Sequence, residues 1–308
     1  MPLNRGWSYR EQVGADAAGR TVLQYLTETR LHSTETEWFA RLQRGEVEVE
    51  GVRVRADAIL HAGQTVVWNR PPWDEPSVPD TFEIIHADDA IVVVNKPSGL
   101  PTMPAGGYLD HTLLSLLRRQ YPDANPLHRL GRHTSGAVLF ALTHEAGALL
   151  ARDWREQRVK KTYRTIGLGT TRTEMFVIDV PIGPVSHPVL GTVEAACPGG
   201  KPSHSVAFVL EQRHDRTLFR VQIATGRPHQ IRIHMAYAGH PLVGDPLYET
   251  GGGLKHHPGL PGDGGYLLHA EELQFVHPVS GEHMTVTAVA PPELQTHREL
   301  VTASAPGR

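Results

Sequence analysis

The feature that most limits the architecture is a change of pattern at residues 70–79, RPPWDEPSVP, where four prolines fall within ten residues. Proline has no backbone N–H and a fixed φ, so such a run forms neither a helix interior nor a central strand. It reads as a linker and divides the chain in two. Before it, residues 20–31 and 34–44 carry short helical patterns, the second opened by Ser33 with acids in its first turn and closed by Gly45. Val47, Val49, Val52 and Val54 then alternate around Glu50-Gly51, a tight-hairpin signal, and Gly63 precedes a strand over 65–68. After the linker, strand patterns at 84–85, 91–95, 137–141, 162–167, 206–210, 218–223 and 285–290 are interspersed with helical ones at 112–120, 144–158 and 228–238. Many strands broken by a few helices predict an α+β fold rather than a doubly wound one. The expected boundaries are a small module over 1–70, a linker over 71–80, a main domain over 81–292 and a frayed tail over 293–308. The Gly-rich stretch 251–265 reads as a mobile loop.

Composition narrows the function classes. Hydrophobic residues at 40% of 308 suffice for a sizeable core. Cys197 stands alone, which excludes a disulfide framework and a Cys-based zinc site. The 19 His include no His-Glu-x-x-His pattern, so no metal site is expected. No apolar run reaches membrane-spanning length and the N-terminus carries no apolar leader, so the expectation is a soluble, cytoplasmic protein without a membrane partner. The formal charge of −3 conceals a concentration of cations. Residues 118–172 hold eleven basic residues against Asp123, Glu145, Asp153 and Glu156, a net of +7, and residues 201–232 add +4. Such stretches suit a phosphate-binding face, and a solvated helix face would account for them equally.

Four blocks are denser in polar residues than a plain core element requires. His128-Arg129-Leu130-Gly131-Arg132-His133-Thr134-Ser135-Gly136 leads into an apolar strand, and Lys160-Lys161-Thr162-Tyr163-Arg164 sets an aromatic among cations. Thr225-Gly226-Arg227-Pro228-His229-Gln230-Ile231-Arg232-Ile233-His234 opens a helix, and Gly239-His240-Pro241-Leu242-Val243-Gly244-Asp245-Pro246 follows it.

In this order, and with Val94-Asn95-Lys96-Pro97-Ser98-Gly99-Leu100 upstream and Leu268-His269-Ala270 near the end, the blocks resemble the RluA-type RNA pseudouridine synthases. The resemblance covers most of residues 80–292. Residues 19–68 resemble, more loosely, the small α-L RNA-binding module that often precedes that catalytic domain. The resemblance implies a mixed, mainly antiparallel sheet and an isomerisation that needs neither cofactor nor metal. A uridine of ribosomal or transfer RNA is flipped out, its glycosidic bond is broken, and the uracil is rejoined to the sugar through carbon 5. The chain is expected to be a monomer.

In that family an aspartate directly after His-Arg-Leu does the central work, as nucleophile or as base. Here the position is Gly131, which offers no carboxylate. Three outcomes stay open: another carboxylate reaches the site, the chemistry is altered, or the protein binds RNA without modifying it. Tyr163 matches the aromatic that packs on the target base, and Arg232 the arginine that pairs with the catalytic aspartate. A buried Arg232 should therefore meet another anion, such as substrate phosphate. Pro228 stands where threonine is commoner, which the first turn of a helix tolerates. Arg132, Lys160, Lys161, Arg164 and Arg227 are phosphate candidates, and His128 and Arg129 hold the active loop at the RNA face. A Ser/His hydrolase built on Ser135 is a distant rival that requires a His beside Ser135 oriented by a carboxylate.

Overall fold

The computed structural model describes residues 3–304 and divides into two compact units, Met1–Pro76 and Ser77–Arg308. The first holds strand β1 (Trp7–Gln12), helices α1 (Val22–Thr29) and α2 (Glu35–Gln43), and strands β2 (Val47–Val49), β3 (Val52–Arg53) and β4 (Thr65–Arg70). The strands form one sheet in the order β1-β4-β2-β3. Both helices open on a capping box, Thr21 with Gln24 and Thr34 with Glu37, so the second cap lies one residue beyond Ser33. At the β2–β3 turn Glu50 and Gly51 both take positive φ, 50° and 77°, the backbone that two-residue hairpins demand. Trp38, fully buried, centres the core of this unit with Val22, Leu26, Val47 and Leu60. Strand β1 has no hydrophobic alternation to announce it (WSYREQ), because it pairs at the sheet edge with five of its six residues exposed.

In the second unit come β5 (Glu83–Ala87), β6 (Ile91–Lys96), α3 (Leu113–Leu117), β7 (Asn125–Pro126), β8 (Thr134–Ala141), α4 (His144–Arg155) and β9 (Lys160–Leu168). They are followed by β10 (Met175–Ile178), β11 (Ile182–His187), β12 (Gly191–Ala196), β13 (Ser205–Arg213), β14 (Arg216–Ile223), α5 (Gln230–Tyr237), β15 (Leu268–Val276), β16 (His283–Thr287) and α6 (His297–Ser304). Ten strands make one sheet, β10-β13-β14-β9-β15-β8-β6-β5, with β16 beside β15 and β7 beside β8. Among the described residues only the β15–β8 pairing is parallel, so the fold is the expected α+β with a mixed, mainly antiparallel sheet. β11 and β12 form a separate hairpin.

The strand period of two explains the layering. Val92 and Val94 of β6, with Val138 and Phe140 of β8, face one core that holds α3 and Tyr163. Ile91 and Val93, with Ala137 and Leu139, face the other, under α4. At the parallel pairing Gly136 has φ +109°, and a Cβ there would sit 2.2 Å from the Ala270 carbonyl oxygen, so only glycine lets β8 and β15 meet.

Two expectations are corrected. The stretch beyond 292 is not frayed as far as residue 304: Leu294 is buried against Ile166 and Leu218, and α6 follows. Its anchor is electrostatic, since Arg164 donates two hydrogen bonds of 2.7 Å to the Glu299 carboxylate. The last four residues of that stretch lie outside the described residues. The loop over 251–265 is not free either, because side chains of the site tie it down, as set out next. Among the described residues no helix is long and apolar enough to cross a membrane.

Candidate active site

The site is assembled where three chain reversals meet. Lys96, at the end of β6, is fully buried, and its ammonium donates to the carbonyls of Pro97, Leu100 and Arg132 at 2.9, 2.8 and 3.0 Å. Three donors meet three acceptors, which locks the Asn-Lys-Pro-Ser-Gly turn onto the His-Arg-Leu-Gly-Arg loop. Burial lowers the Lys96 pKa to about 7. Thr102 completes the clamp, donating to the Leu130 carbonyl at 2.9 Å and accepting from the Leu130 N–H at 3.2 Å. Gly131 is left exposed between these fixed neighbours.

Arg232 projects from α5, whose N-cap, His229, sits at φ 55°. Its guanidinium makes a bidentate pair with Asp245, Nε to Oδ2 at 2.6 Å and Nη2 to Oδ1 at 2.7 Å, with both side chains 1% exposed. The anion that Arg232 requires is therefore internal and not a substrate phosphate, a correction to the sequence reading. Asp245 Oδ1 also accepts the N–H groups of Leu247 and Tyr248 at 2.8 and 3.2 Å. Burial alone would raise its pKa, but Arg232 and these amides outweigh burial and hold the carboxyl below the usual range. The aromatic rings of Tyr266 and Tyr248 flank the Arg232 guanidinium at 4.2 and 5.1 Å.

Glycine makes this convergence possible. Gly244 and Gly265 cross at backbone contact, where a Cβ on either would lie 2.1 or 2.6 Å from the other's carbonyl oxygen. The residues that follow them, Asp245 and Tyr266, are thereby delivered together to Arg232. The Gly-rich loop is latched by Arg132 to the Gly262 carbonyl at 3.0 Å and by His187 to the Gly259 carbonyl at 3.2 Å.

The structure sorts the remaining candidates. Tyr163, on β9, is buried in one packed cluster with Leu130, Tyr266 and Leu268, and burial raises its hydroxyl pKa to about 12. Arg164, one residue on, points to the opposite face, where Glu271 and Glu299 bind it. It is committed to the fold and unavailable to phosphate, a consequence of strand alternation. His128 is likewise a scaffold: its ring stacks on Trp154 at 4.5 Å, and Nε2 accepts the Leu139 N–H at 3.1 Å. Burial, aided by Lys161, lowers its pKa to about 3, so it carries no charge for RNA. Arg132 spends its donors on His133, Tyr108 and Gly262. Arg129 and Lys160 are exposed. Lys161 is buried beside Trp154, and a Cβ on Gly226 would be 3.8 Å from its Nζ. Arg227 keeps a buried Nε with no partner.

Ser135 does meet a histidine, His269 Nδ1 at 2.9 Å, but His269 Nε2 is oriented by the Ala288 carbonyl at 3.1 Å. No carboxylate takes the third place, and the hydrolase rival falls. Among the described residues no group of three or more His, Cys, Asp or Glu could hold a metal ion. In the sequence Asp245 stands in one of the four polar blocks without a role assigned to it, and Tyr266 stands in none of them. The available signal was the Gly-Asp and Gly-Tyr pairing of two tight turns.

A buried Arg–Asp pair and a buried tyrosine are thus carried on a mixed sheet that also bears the His-Arg-Leu loop. Residues 90–237 match the family model described as RNA pseudouridylate synthase. The chain is 40% identical to an RNA pseudouridine synthase of Synechocystis sp., over 89% of this chain and 96% of the relative. It is 32% identical to the ribosomal large subunit pseudouridine synthase D of Vibrio parahaemolyticus, over 86% and 85% of the two chains. The solved structure of human RNA pseudouridylate synthase domain containing 1 is 27% identical, with a TM-score of 0.57, and covers 76% of this chain and 100% of that one. The chain belongs to the RNA pseudouridine synthase family, in its RluA-type branch.

Proposed function

We propose that this chain is a working synthase, converting uridine to pseudouridine in ribosomal RNA, in the cytoplasm and as a monomer, with Gly131 at the usual aspartate position. The observation that carries the reading is the Arg232–Asp245 pair. A pocket retired from chemistry has no need of a buried cation, a carboxylate and two phenols around one point, since apolar filling is commonly as stable. The name of the Vibrio relative supports ribosomal over transfer RNA. Tyr163 supplies a ring against the flipped base, and no proton leaves it near neutral pH. Exposed Arg129 and Lys160 supply cations for the backbone of the strand.

No cofactor enters this account. The glycosidic bond needs a nucleophile or base on the sugar face, a pocket for the rotating uracil, and an electrostatic partner for charge that develops on it. Forming the new bond at carbon 5 expels the hydrogen from that carbon, which gives a direct readout. Purified chain incubated with unmodified ribosomal RNA transcripts labelled with [5-³H]uridine releases tritium to water, in proportion to the pseudouridine formed. Release from transfer RNA alone would move the substrate, and release from no RNA would leave a binding protein on a synthase fold.

A further inference from the structure

We propose that the Tyr266 hydroxyl performs the sugar-directed step in this chain, standing in for the carboxylate that residue 131 lacks. The inference rests on the reading of the chain as a working synthase and asks which atom makes it work.

The constellation offers few groups. Both Asp245 oxygens are consumed, by Arg232 and by the N–H groups of Leu247 and Tyr248. A carboxylate with four donors and 1% exposure is a counter-ion, not a free nucleophile. The Tyr248 hydroxyl is occupied as well, donating to the Glu194 carbonyl at 2.7 Å and accepting from His229. Tyr266 differs from both. Among the described residues no protein group hydrogen-bonds its hydroxyl, and that oxygen is not one of the sealed unpaired atoms, although the residue as a whole is 6% exposed. Its ring carries the Arg232 guanidinium at 4.2 Å.

Residue 131 ties the hydroxyl to the reaction. A Cβ built on Gly131 would lie 3.5 Å from Tyr266 Oη and equally 3.5 Å from Thr134 Oγ1, ordinary contact distances. The Tyr266 hydroxyl thus borders the space that a side chain at position 131 would enter. Gly131 is exposed, so its missing side chain leaves the hydroxyl open to the strand. Glycine at 131 and tyrosine at 266 form one arrangement, in which removing a side chain from the first uncovers a nucleophile on the second.

The step balances with no further reactant. Tyr266 Oη attacks C1′ of the flipped uridine, the C1′–N1 pair leaves with the uracil, and the phenolic proton passes to the uracil. The uracil turns. Carbon 5 then attacks C1′, the Oη–C1′ bond breaks with its electron pair returning to oxygen, and the proton lost from carbon 5 restores the phenol. Tyrosine is an accepted nucleophile at a sugar's anomeric carbon.

The test uses the full chain and [5-³H]uridine-labelled ribosomal RNA transcripts. Tyr266→Phe removes one unpartnered hydroxyl, so its melting temperature and its retention of RNA on filters should match the parent, while tritium release falls by at least ~100-fold. Adding the carboxylate back in Gly131→Asp/Tyr266→Phe should recover about tenfold or more over the single variant. No packing role for Tyr266 predicts that rescue. Should the phenylalanine variant unfold, 3,5-difluorotyrosine at 266 keeps the ring and acidifies the phenol, and the rising limb of the pH–rate profile should move to lower pH. Tritium release by Tyr266→Phe within about tenfold of the parent overturns the proposal and leaves the synthase reading standing. A folded double variant no faster than Tyr266→Phe, or an unmoved pH profile, overturns it equally. If the parent chain releases no tritium from any RNA, the synthase reading fails and this inference falls with it.

Discussion

Asp245→Ala lowers the unfolding free energy of the larger unit by about 3–5 kcal/mol, because it strands the Arg232 guanidinium in a site with 1% exposure. In a unit of this size that is a loss on the order of 10 °C in melting temperature. The cost arises from what is left behind. Two guanidinium nitrogens lose acceptors at 2.6 and 2.7 Å, and the Leu247 and Tyr248 amides lose theirs too. Asp245→Asn keeps the shape and one acceptor oxygen but brings an amide donor against Arg232, so it should recover only part of the loss. A change below about 1 kcal/mol for the alanine variant would mean that water reaches Arg232, and the sealed pair described above would be wrong. Activity should vanish in both variants, since Tyr266 and the turn at Gly244 are positioned through the same guanidinium.

The second large effect lies on the opposite face of the sheet. Glu271 accepts from Arg164 Nε at 2.8 Å and from Arg220 Nε and Nη2 at 2.9 and 2.8 Å, and Arg164 continues to Glu299 on α6. Glu271→Gln should cost about 2–3 kcal/mol, less than a fully stranded charge because Glu299 still holds Arg164. The network also sets an acid limit. Hydrogen bonding to Arg164 lowers the Glu299 pKa from 4.5 to about 2. A carboxyl with a depressed folded value stabilises fully above its ordinary pKa and loses that contribution as the pH falls through the folded one. Urea midpoints should therefore drop between about pH 4.5 and 2, and Glu299→Gln should flatten that slope. An unchanged slope would remove α6 from the stabilising elements. Solvent screening at Glu299, whose side chain is 41% exposed, keeps its own share modest.

Much of the architecture is legible in the residues. The apolar runs Ile91–Asn95 and Ala137–Ala141 give two strands with a core on each face, and Thr143 caps the helix it precedes. Glu50-Gly51 makes its turn through positive φ at both positions. Other elements leave no local trace. β1 is too exposed to alternate, and α6 is held by a long-range ion pair between Arg164 and Glu299, 135 residues apart, which no short window of sequence displays. The site divides in the same way. Tyr163 and Arg232 stand in recognisable blocks and are linked through Tyr266, which shares a packed cluster with the first and lies under the guanidinium of the second, whereas Arg164, adjacent to Tyr163, is carried away by the strand's pleat. Asp245 and Tyr266 meet because two glycines cross at contact distance, and that crossing is a tertiary event. A glycine-rich loop reads locally as freedom. Here it is the means of a close approach.

The central claim is that a synthase of this family works with glycine at position 131. Mass-spectrometric mapping of pseudouridine in total RNA, from cells with and without this gene, tests it most directly. The account predicts that at least one ribosomal RNA site disappears in the deletion strain and returns when the unaltered gene is restored. Identical maps from the two strains would contradict it.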